Sequence, residues 1–132
     1  MKQNFIYELP EKVTSPKDYV QEVTPIFDGT KEKKNLEDVK KNHEHLDHFS
    51  LAILKWKDEY TLGIRWNLTM REANDPEKQN GTKTCKGIPV SFTHPVWFVL
   101  PKQLHESVLV SMKSLIDQAK YQQINDTLGV RL

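Results

Sequence analysis

The clearest pattern along the chain is a strict alternation of apolar and polar positions between residues 60 and 69. Five apolar residues alternate there with polar or small ones: Tyr60, Leu62, Ile64, Trp66 and Leu68. A period of two predicts a β-strand with one buried face. The segment Leu51–Trp56 just before it is also apolar, and the polar connection Lys57–Glu59 predicts an antiparallel hairpin. Gly63 in mid-strand predicts a bulge or a close backbone approach.

Three further segments have patterns typical of extended chain. Phe5–Leu9 alternates and ends at Pro10, which predicts a short edge strand. Tyr19–Phe27 is apolar but broken by a proline, and its periodicity fits either a strand or a turn of helix. Val96–Leu100 is apolar at every position, so we expect a central strand buried on both faces, with Trp97 in the core.

Two segments have helical spacing. Asn35 is a candidate N-cap for a helix over 36–48, in which Leu36, Val39, His43 and Leu46 share one face. A long C-terminal helix over 102–123 is predicted by an apolar stripe: Leu104, Val108, Met112, Leu115, Ile116 and Ala119. The intervening stretch from Met70 to Pro89 is polar and lacks any apolar period, which predicts a long loop.

Together these elements predict an α+β fold, in which a small antiparallel sheet has one long C-terminal helix and one short helix packed on one face. The chain contains no internal repeat, low-complexity tract or Gly/Ser linker, so residues 1–132 are expected to form a single α+β domain. The other face of the sheet is expected to be polar and exposed, and to carry Thr61, Arg65, Asn67 and Thr69.

The composition argues against several classes of protein but does not identify a function. The 132 residues carry 19 basic and 18 acidic side chains, a net charge of +1, which gives no strong preference for a polyanionic partner. The mean hydropathy is −0.65, and the longest apolar run, Pro95–Pro101, is far too short for a membrane span. A single cysteine, Cys85, excludes an intramolecular disulfide and favours a reducing compartment. With no apolar signal-peptide core at the amino terminus, a cytoplasmic location is expected and no membrane partner.

Residues 43–48 form the most conspicuous cluster of chemistry-bearing side chains, His-Glu-His-Leu-Asp-His. Over these six residues the string resembles the His-x-His-x-Asp-His pattern of the metallo-β-lactamase fold. In that family the motif follows an apolar strand, whereas here a polar segment on a predicted helix precedes it, so we interpret the match as coincidental. A smaller metal site built from His45, Asp47 and His48, holding zinc or another divalent ion, stays open because His45 and His48 share a helix face.

Six polar residues are candidate binding residues because they lie on the predicted polar sheet face or on the loop that overhangs it. They are Arg65, Asn67, Arg71, Lys78, Lys83 and Lys86. A polar strand face beneath a long loop would form a shallow groove, and loops on rigid scaffolds often carry function. No phosphate-binding, nucleophile-elbow or Cys-x-x-Cys motif is present, and no catalytic residue or other cofactor is indicated.

The sequence therefore favours a small cytosolic binding module rather than an enzyme, with a protein or a small molecule as its partner. Two alternatives stay open. One is a metal-dependent, hydrolase-like enzyme built on the His43–His48 cluster. The other is a weak nucleic-acid-binding domain, since aromatic and cationic residues flank the predicted sheet. An exposed hairpin edge could also pair two copies into a homodimer.

Overall fold

The alternating segment forms the third strand of a four-stranded antiparallel sheet. A computed structural model describes residues 5–31 and 48–132 of the chain. The strand order in this sheet is β1-β2-β3-β6, and β4 and β5 form a separate hairpin. The strands are β1 (Val20–Asp28), β2 (Phe49–Trp56), β3 (Glu59–Trp66), β4 (Val90–Ser91), β5 (His94–Pro95) and β6 (Phe98–Val99). The predicted α+β class and the β2–β3 hairpin are confirmed.

Within residues 5–31 and 48–132, the other elements are four short α-helices and several 3₁₀ turns. The helices are α1 (Met70–Ala73), α2 (Pro76–Gln79), α3 (His105–Ser111) and α4 (Tyr121–Leu128). The 3₁₀ turns are Pro10–Lys12, Gly29–Lys31, Lys102–Leu104, Lys113–Leu115 and Gln118–Lys120. In the described ranges, no helix is long and apolar enough to cross a membrane.

The C-terminal helices cover one side of the sheet, which we call the helix face. The core there consists of buried aliphatic residues from the strands, the helices and the C-terminal tail: Ile26, Leu51, Ile53, Leu62, Leu109, Ile116, Ile124 and Val130. Strand positions two apart point to the same face, so Leu62 and Ile64 on β3 lie opposite Ile53 and Leu51 on β2. The period-two pattern thus correctly places Leu62 and Ile64 in this core, whereas Tyr60 is 42% exposed and Leu68 packs in a separate cluster.

The opposite side of the sheet, which we call the N-terminal face, is also buried. Val13 and Trp97 pack there against Ala52 and Leu54 of β2. The indole Nε1 of Trp97 donates a hydrogen bond to the Val13 carbonyl at 2.8 Å. A Cβ at Gly63 would lie 2.6 Å from the Leu54 side chain and 3.2 Å from that of Trp97, so this glycine makes room for two side chains. The pairing of β3 with β2 is regular at Gly63, without a bulge, and the close approach is by side chains instead of by backbone. The expectation of a solvated polar face is therefore wrong, because a segment distant in sequence covers it.

The predicted long helix over 102–123 is two short helices instead of one. Helix α3 ends at Ser111, the chain continues as a 3₁₀ turn, and Ile116 is extended, with φ −91° and ψ 133°. Asp117 then caps the next turn by accepting a hydrogen bond from the Ala119 backbone N–H at 2.9 Å. The break redirects the chain so that both Leu109 and Ile124 reach the same core.

Two other expectations need correction. Val96–Leu100 contributes only the two-residue strand β6, which lies at the edge of the sheet, and Phe98 is 53% exposed. The central strands are β2 and β3, whereas Trp97 is buried as predicted. The stretch 70–89 is not without structure, because Thr69 and Glu72 form a reciprocal capping box on α1 and Asp75 caps α2. The Thr-x-x-Glu and Asp-Pro signals in the sequence are typical of helix starts.

At the amino terminus, Phe5–Leu9 contributes one isolated bridge, Tyr7 to Cys85, in place of the expected edge strand. The segment Tyr19–Phe27, for which strand and helix were both open, is mostly strand β1. The predicted helix over 36–48 lies outside the described residues except for His48, which directly precedes β2 and is not helical.

Candidate functional site

Arg65, the first candidate binding residue, is a structural residue with only 1% of its surface exposed. It extends from the N-terminal face of β3 beneath the segment 86–96. Its guanidinium donates hydrogen bonds to the carbonyl oxygens of Lys86 and Val96, the latter at 2.6 Å, and to that of Pro89 at 3.4 Å. Burial lowers the pKa of Arg65 to about 10, while the carboxylates of Glu8 and Glu72 act in the opposite direction.

Asn67, the second candidate on the same face, is also buried and is 2% exposed. Its side-chain amide donates a hydrogen bond to the Ser50 hydroxyl at 3.0 Å, and its backbone N–H donates to the His48 carbonyl at 2.8 Å. Because both side chains are enclosed by the protein, Arg65 and Asn67 offer no surface to a partner in this conformation. The groove expected above the sheet is filled by the protein's own chain.

Glu72 holds the segment 69–87 together and was not singled out in the sequence analysis. Its carboxylate accepts hydrogen bonds from the backbone N–H of Lys86 at 2.7 Å and of Gly87 at 3.1 Å. It also accepts from Thr69 at the start of α1 and lies 3.5 Å from the Lys78 ammonium. Gly87 has a φ of +65°, and a Cβ there would lie 1.9 Å from the Trp66 carbonyl oxygen, so this approach requires glycine.

We expect replacement of Glu72 by alanine to destabilise the protein by at least about 2 kcal/mol, because it leaves buried backbone donors without acceptors. Glu77 is the matched control, since it also pairs with a lysine, Lys83 at 3.1 Å, but is exposed. Glu77→Ala should change the free energy of unfolding by no more than about 0.5 kcal/mol. Urea denaturation followed by circular dichroism measures both values, and equal losses for the two variants would contradict the structural role of Glu72.

The remaining candidate cations differ in their exposure and in whether they form ion pairs within the protein. Lys78 pairs with Glu72 and donates to the Thr84 carbonyl at 2.6 Å, and Lys83 pairs with Glu77, whose hydrogen bond raises the pKa of that lysine. Arg71 and Lys86 are exposed. The structure therefore does not bring the six predicted residues together into one open groove.

Cys85 is a core residue rather than a loop thiol. It is fully buried and packs with Leu68 and Ala73. Burial raises the pKa of the Cys85 thiol to about 12, with a further contribution from Glu72. The pKa of the neighbouring Tyr7 is also raised, first by burial and then by Cys85 and Glu72. A thiol with a raised pKa is a poor nucleophile. Cys85 therefore serves the packing of the core with Leu68 and Ala73.

The predicted metal ligands His45 and Asp47 lie outside the described residues, as does His43. His48 is fully buried, and its ring lies 4.5 Å from that of Tyr7, measured between centroids. Within residues 5–31 and 48–132, no group of three or more His, Cys, Asp or Glu side chains could hold a metal ion. The metal site stays a prediction.

The most exposed aromatic residue in the described chain is Phe92, at 94%. Phe92 and Thr93 form the two-residue turn between β4 and β5, with φ values of 48° and 70°. A turn with both φ values positive suits Asn-Gly, and a bulky residue there is an outlier that costs about 1–2 kcal/mol. The chain thus holds an aromatic ring in solvent on a strained backbone.

The β2–β3 turn provides an internal comparison. Lys57 and Asp58 have the same φ values, 48° and 70°. There the turn is braced, because the Gln21 side chain exchanges two hydrogen bonds with Asp58, at 2.7 and 2.8 Å. The Lys57 ammonium also lies 4.2 Å from the centroid of the Tyr19 ring. None of the hydrogen bonds described for residues 5–31 and 48–132 braces the Phe92–Thr93 turn through its side chains.

Other exposed apolar residues lie close to this turn in sequence. Ile88, Val90 and Phe98 are each about half exposed, at 47%, 47% and 53%. Ile88 pairs with Trp66 and Phe98 pairs with Ile64. Because Trp66 and Ile64 are two apart on β3, their partners lie side by side at the same sheet edge. We call the segment Ile88–Phe98, with its exposed tip, the aromatic hairpin.

The aromatic hairpin lies within a stretch of the chain that has basic residues but no acidic ones, a feature that was not noted among the sequence patterns. Between Lys78 and His105 the chain has four lysines and two histidines but neither aspartate nor glutamate. Since Lys78 and Lys83 are paired with glutamates, Lys86 and Lys102 are the lysines of this stretch without a described ion pair. The absence of acidic residues over 28 positions was readable from the sequence, whereas the exposure of Phe92 was not.

No known protein family, curated protein or solved structure matches the chain, so its site is interpreted from its own geometry.

Proposed function

We propose that the protein is a binding module that recognises another protein through the aromatic hairpin. The observation that carries the proposal is Phe92, a 94% exposed ring on two consecutive left-handed residues. Strained backbone conformations are concentrated at functional sites. A turn without a function would be expected to carry a residue pair that favours its conformation, such as Asn-Gly. Aromatic residues are enriched among the anchors of protein interfaces.

The surroundings of Phe92 indicate the chemistry of the partner. Ile88, Val90 and Phe98 add further exposed apolar side chains on the same segment, which favours an apolar pocket as the receptor for the ring. Lys86 and His94 are exposed nearby in sequence, and no acidic residue lies between them. The partner is therefore a protein whose apolar pocket has an acidic rim, since complementary charges favour encounter.

The segment 69–87 supports the hairpin in this proposal instead of forming the groove itself. Glu72 fixes Lys86 and Gly87, and Arg65 fixes the carbonyls of Lys86, Pro89 and Val96. A rigid base lowers the entropy lost when the hairpin binds. The aliphatic side chains of Ile88 and Val90 favour a protein partner over a nucleic acid, which would be recognised by stacking and phosphate contacts.

A double substitution separates binding from folding. Phe92→Asn with Thr93→Gly supplies the favoured turn sequence, so the variant should be more stable than the wild type by about 1 kcal/mol while losing the anchor ring. Leu115→Ala is the matched control, because Leu115 is 56% exposed on the C-terminal part of the chain. Thermal and urea unfolding measure stability.

Binding is measured by affinity capture from a lysate, with each bait at equal density, and then with the purified partner. The proposal expects one protein to be retained by the wild type and by Leu115→Ala and to be lost at least about tenfold from the double variant, as for an interface anchor. Equal retention of that protein by all three baits would contradict the role of Phe92. So would a lysate in which the wild type retains nothing that the double variant loses.

A further inference from the structure

A second, polar site lies at the start of β3, whereas Ile88 of the aromatic hairpin pairs with Trp66 at the end of that strand. It is an open cleft of about 360 Å³ between the start of β3 and the C-terminal helices, lined by Glu59, Tyr60, Thr61, Lys102, His105 and Thr127. Every lining residue has a polar side chain, and four of the six are of an ionisable type. The proposed function makes no use of these residues.

His105 forms the buried wall of this cleft and is 4% exposed. Its Nε2 atom lies 3.0 Å from the Leu100 carbonyl oxygen and 3.4 Å from the Thr61 hydroxyl. A carbonyl only accepts, so the contact with Leu100 fits the tautomer whose hydrogen is on Nε2. The lone pair is then on Nδ1, and no hydrogen bond among the described residues involves that atom. In this tautomer Nδ1 is the acceptor that the ring has left, and His105 is among the residues that line the cleft.

Two opposite charges lie at the exposed part of the cleft. Glu59 and Lys102 both line it, yet neither forms an ion pair or a side-chain hydrogen bond within the described part of the chain. The Thr127 hydroxyl, by contrast, already donates to the Gln123 carbonyl at 2.7 Å. The Thr61 hydroxyl keeps its own proton free to donate, because its oxygen faces the Nε2 hydrogen of His105.

We propose that this cleft binds a small zwitterion that carries an ammonium group and a carboxylate, as a free amino acid does. The ammonium is received by the Glu59 carboxylate and by the Nδ1 lone pair of His105, which are both acceptors. The carboxylate is received by the Lys102 ammonium and the Thr61 hydroxyl, which are both donors. A ligand with a single charge would satisfy only one half of the cleft. The site is independent of the aromatic hairpin, and either proposal can fail without the other.

The test is a titration of the ¹⁵N-labelled full chain, followed by amide chemical shifts at Thr61, His105 and Thr127. The probes are the proteinogenic amino acids, each added singly, with acetate and methylammonium as ligands of one charge. The proposal expects at least one amino acid to shift these signals saturably and to bind at least about tenfold more tightly than either single-charge probe, as for paired charged hydrogen bonds. If no amino acid shifts them, or if acetate or methylammonium binds as tightly, the proposal is overturned.

Charge-neutral variants then assign the two halves. Glu59→Gln and Lys102→Gln should each weaken binding of that amino acid about tenfold, since each removes one charged partner. Glu106→Gln and Lys113→Gln are matched controls, because both residues are exposed on neighbouring turns and line no part of the cleft. All four positions are exposed, so an unchanged thermal midpoint verifies that each variant is folded. If Glu59→Gln and Lys102→Gln weakened binding no more than their controls do, the assignment of the two halves would be overturned.

Discussion

Replacing Arg65 by alanine should destabilise the protein by about 3 kcal/mol, because it leaves buried carbonyl groups without their donor. The Lys86 and Val96 carbonyls would lose the guanidinium that satisfies them inside the protein, and a cavity would remain beneath residues 86–96. Removing a buried charge offsets part of this loss. The free energy of unfolding in urea, followed by circular dichroism, measures the effect.

Arg71→Ala is the control for this prediction. Arg71 is an exposed arginine on α1, only six residues along the chain, and its loss should cost no more than about 0.5 kcal/mol. If Arg65→Ala were as stable as Arg71→Ala, the guanidinium would not fix the 86–96 segment, and the rigid base of the aromatic hairpin would have to be sought elsewhere.

Trp97→Ala should have the largest effect of any substitution considered, about 3–5 kcal/mol, which is typical of large aromatic truncations in cores. Trp97 is 4% exposed, fills the space left by Gly63 against Leu54, and binds the Val13 carbonyl through its indole. Its loss would open a cavity and leave that carbonyl without its donor. Urea unfolding measures the change.

The neighbouring residue provides the comparison. Phe98 is also aromatic but is 53% exposed at the edge of the sheet, so Phe98→Ala should cost only about 1 kcal/mol, less than full burial of such a ring contributes. A midpoint for Trp97→Ala that coincides with the one for Phe98→Ala would mean that the N-terminal face is not packed as described.

The hairpin and the helix-face core could be predicted because they depend on short-range pattern. Alternation over residues 60–69 reports which strand positions share a face, and Leu62 and Ile64 do lie towards the helices. The same pattern contains no information on what covers the other face. Arg65 and Asn67 alternate as exposed polar residues would, yet their neighbours are residues 86–96 and Ser50. Contacts between residues so far apart leave no local periodicity.

The split of the C-terminal helix shows the same limitation on a smaller scale. Apolar spacing continues from Leu104 to Ala119 as if one helix ran through it, but Ile116 is extended and Asp117 begins a new turn. Leu109 and Ile124 are buried in one core only because the chain changes direction between the two helices. The spacing of apolar residues carries no information on such a change of direction. The exposure of Phe92 could not be predicted for a related reason, since it follows from a turn whose sequence, Phe-Thr, is not one that favours that conformation.

The packing of Val13 against Trp97 joins positions 84 residues apart in the chain. During synthesis, the β2–β3 hairpin leaves the ribosome long before residues 85–97, which complete both the Tyr7–Cys85 bridge and the N-terminal face. Tyr7 and Val13 come before the hairpin in the chain, but their partners Cys85 and Trp97 come after it. Until then Ala52 and Leu54 lack the cover that Trp97 provides on that face, so part of this apolar surface is open to chaperones in the nascent chain.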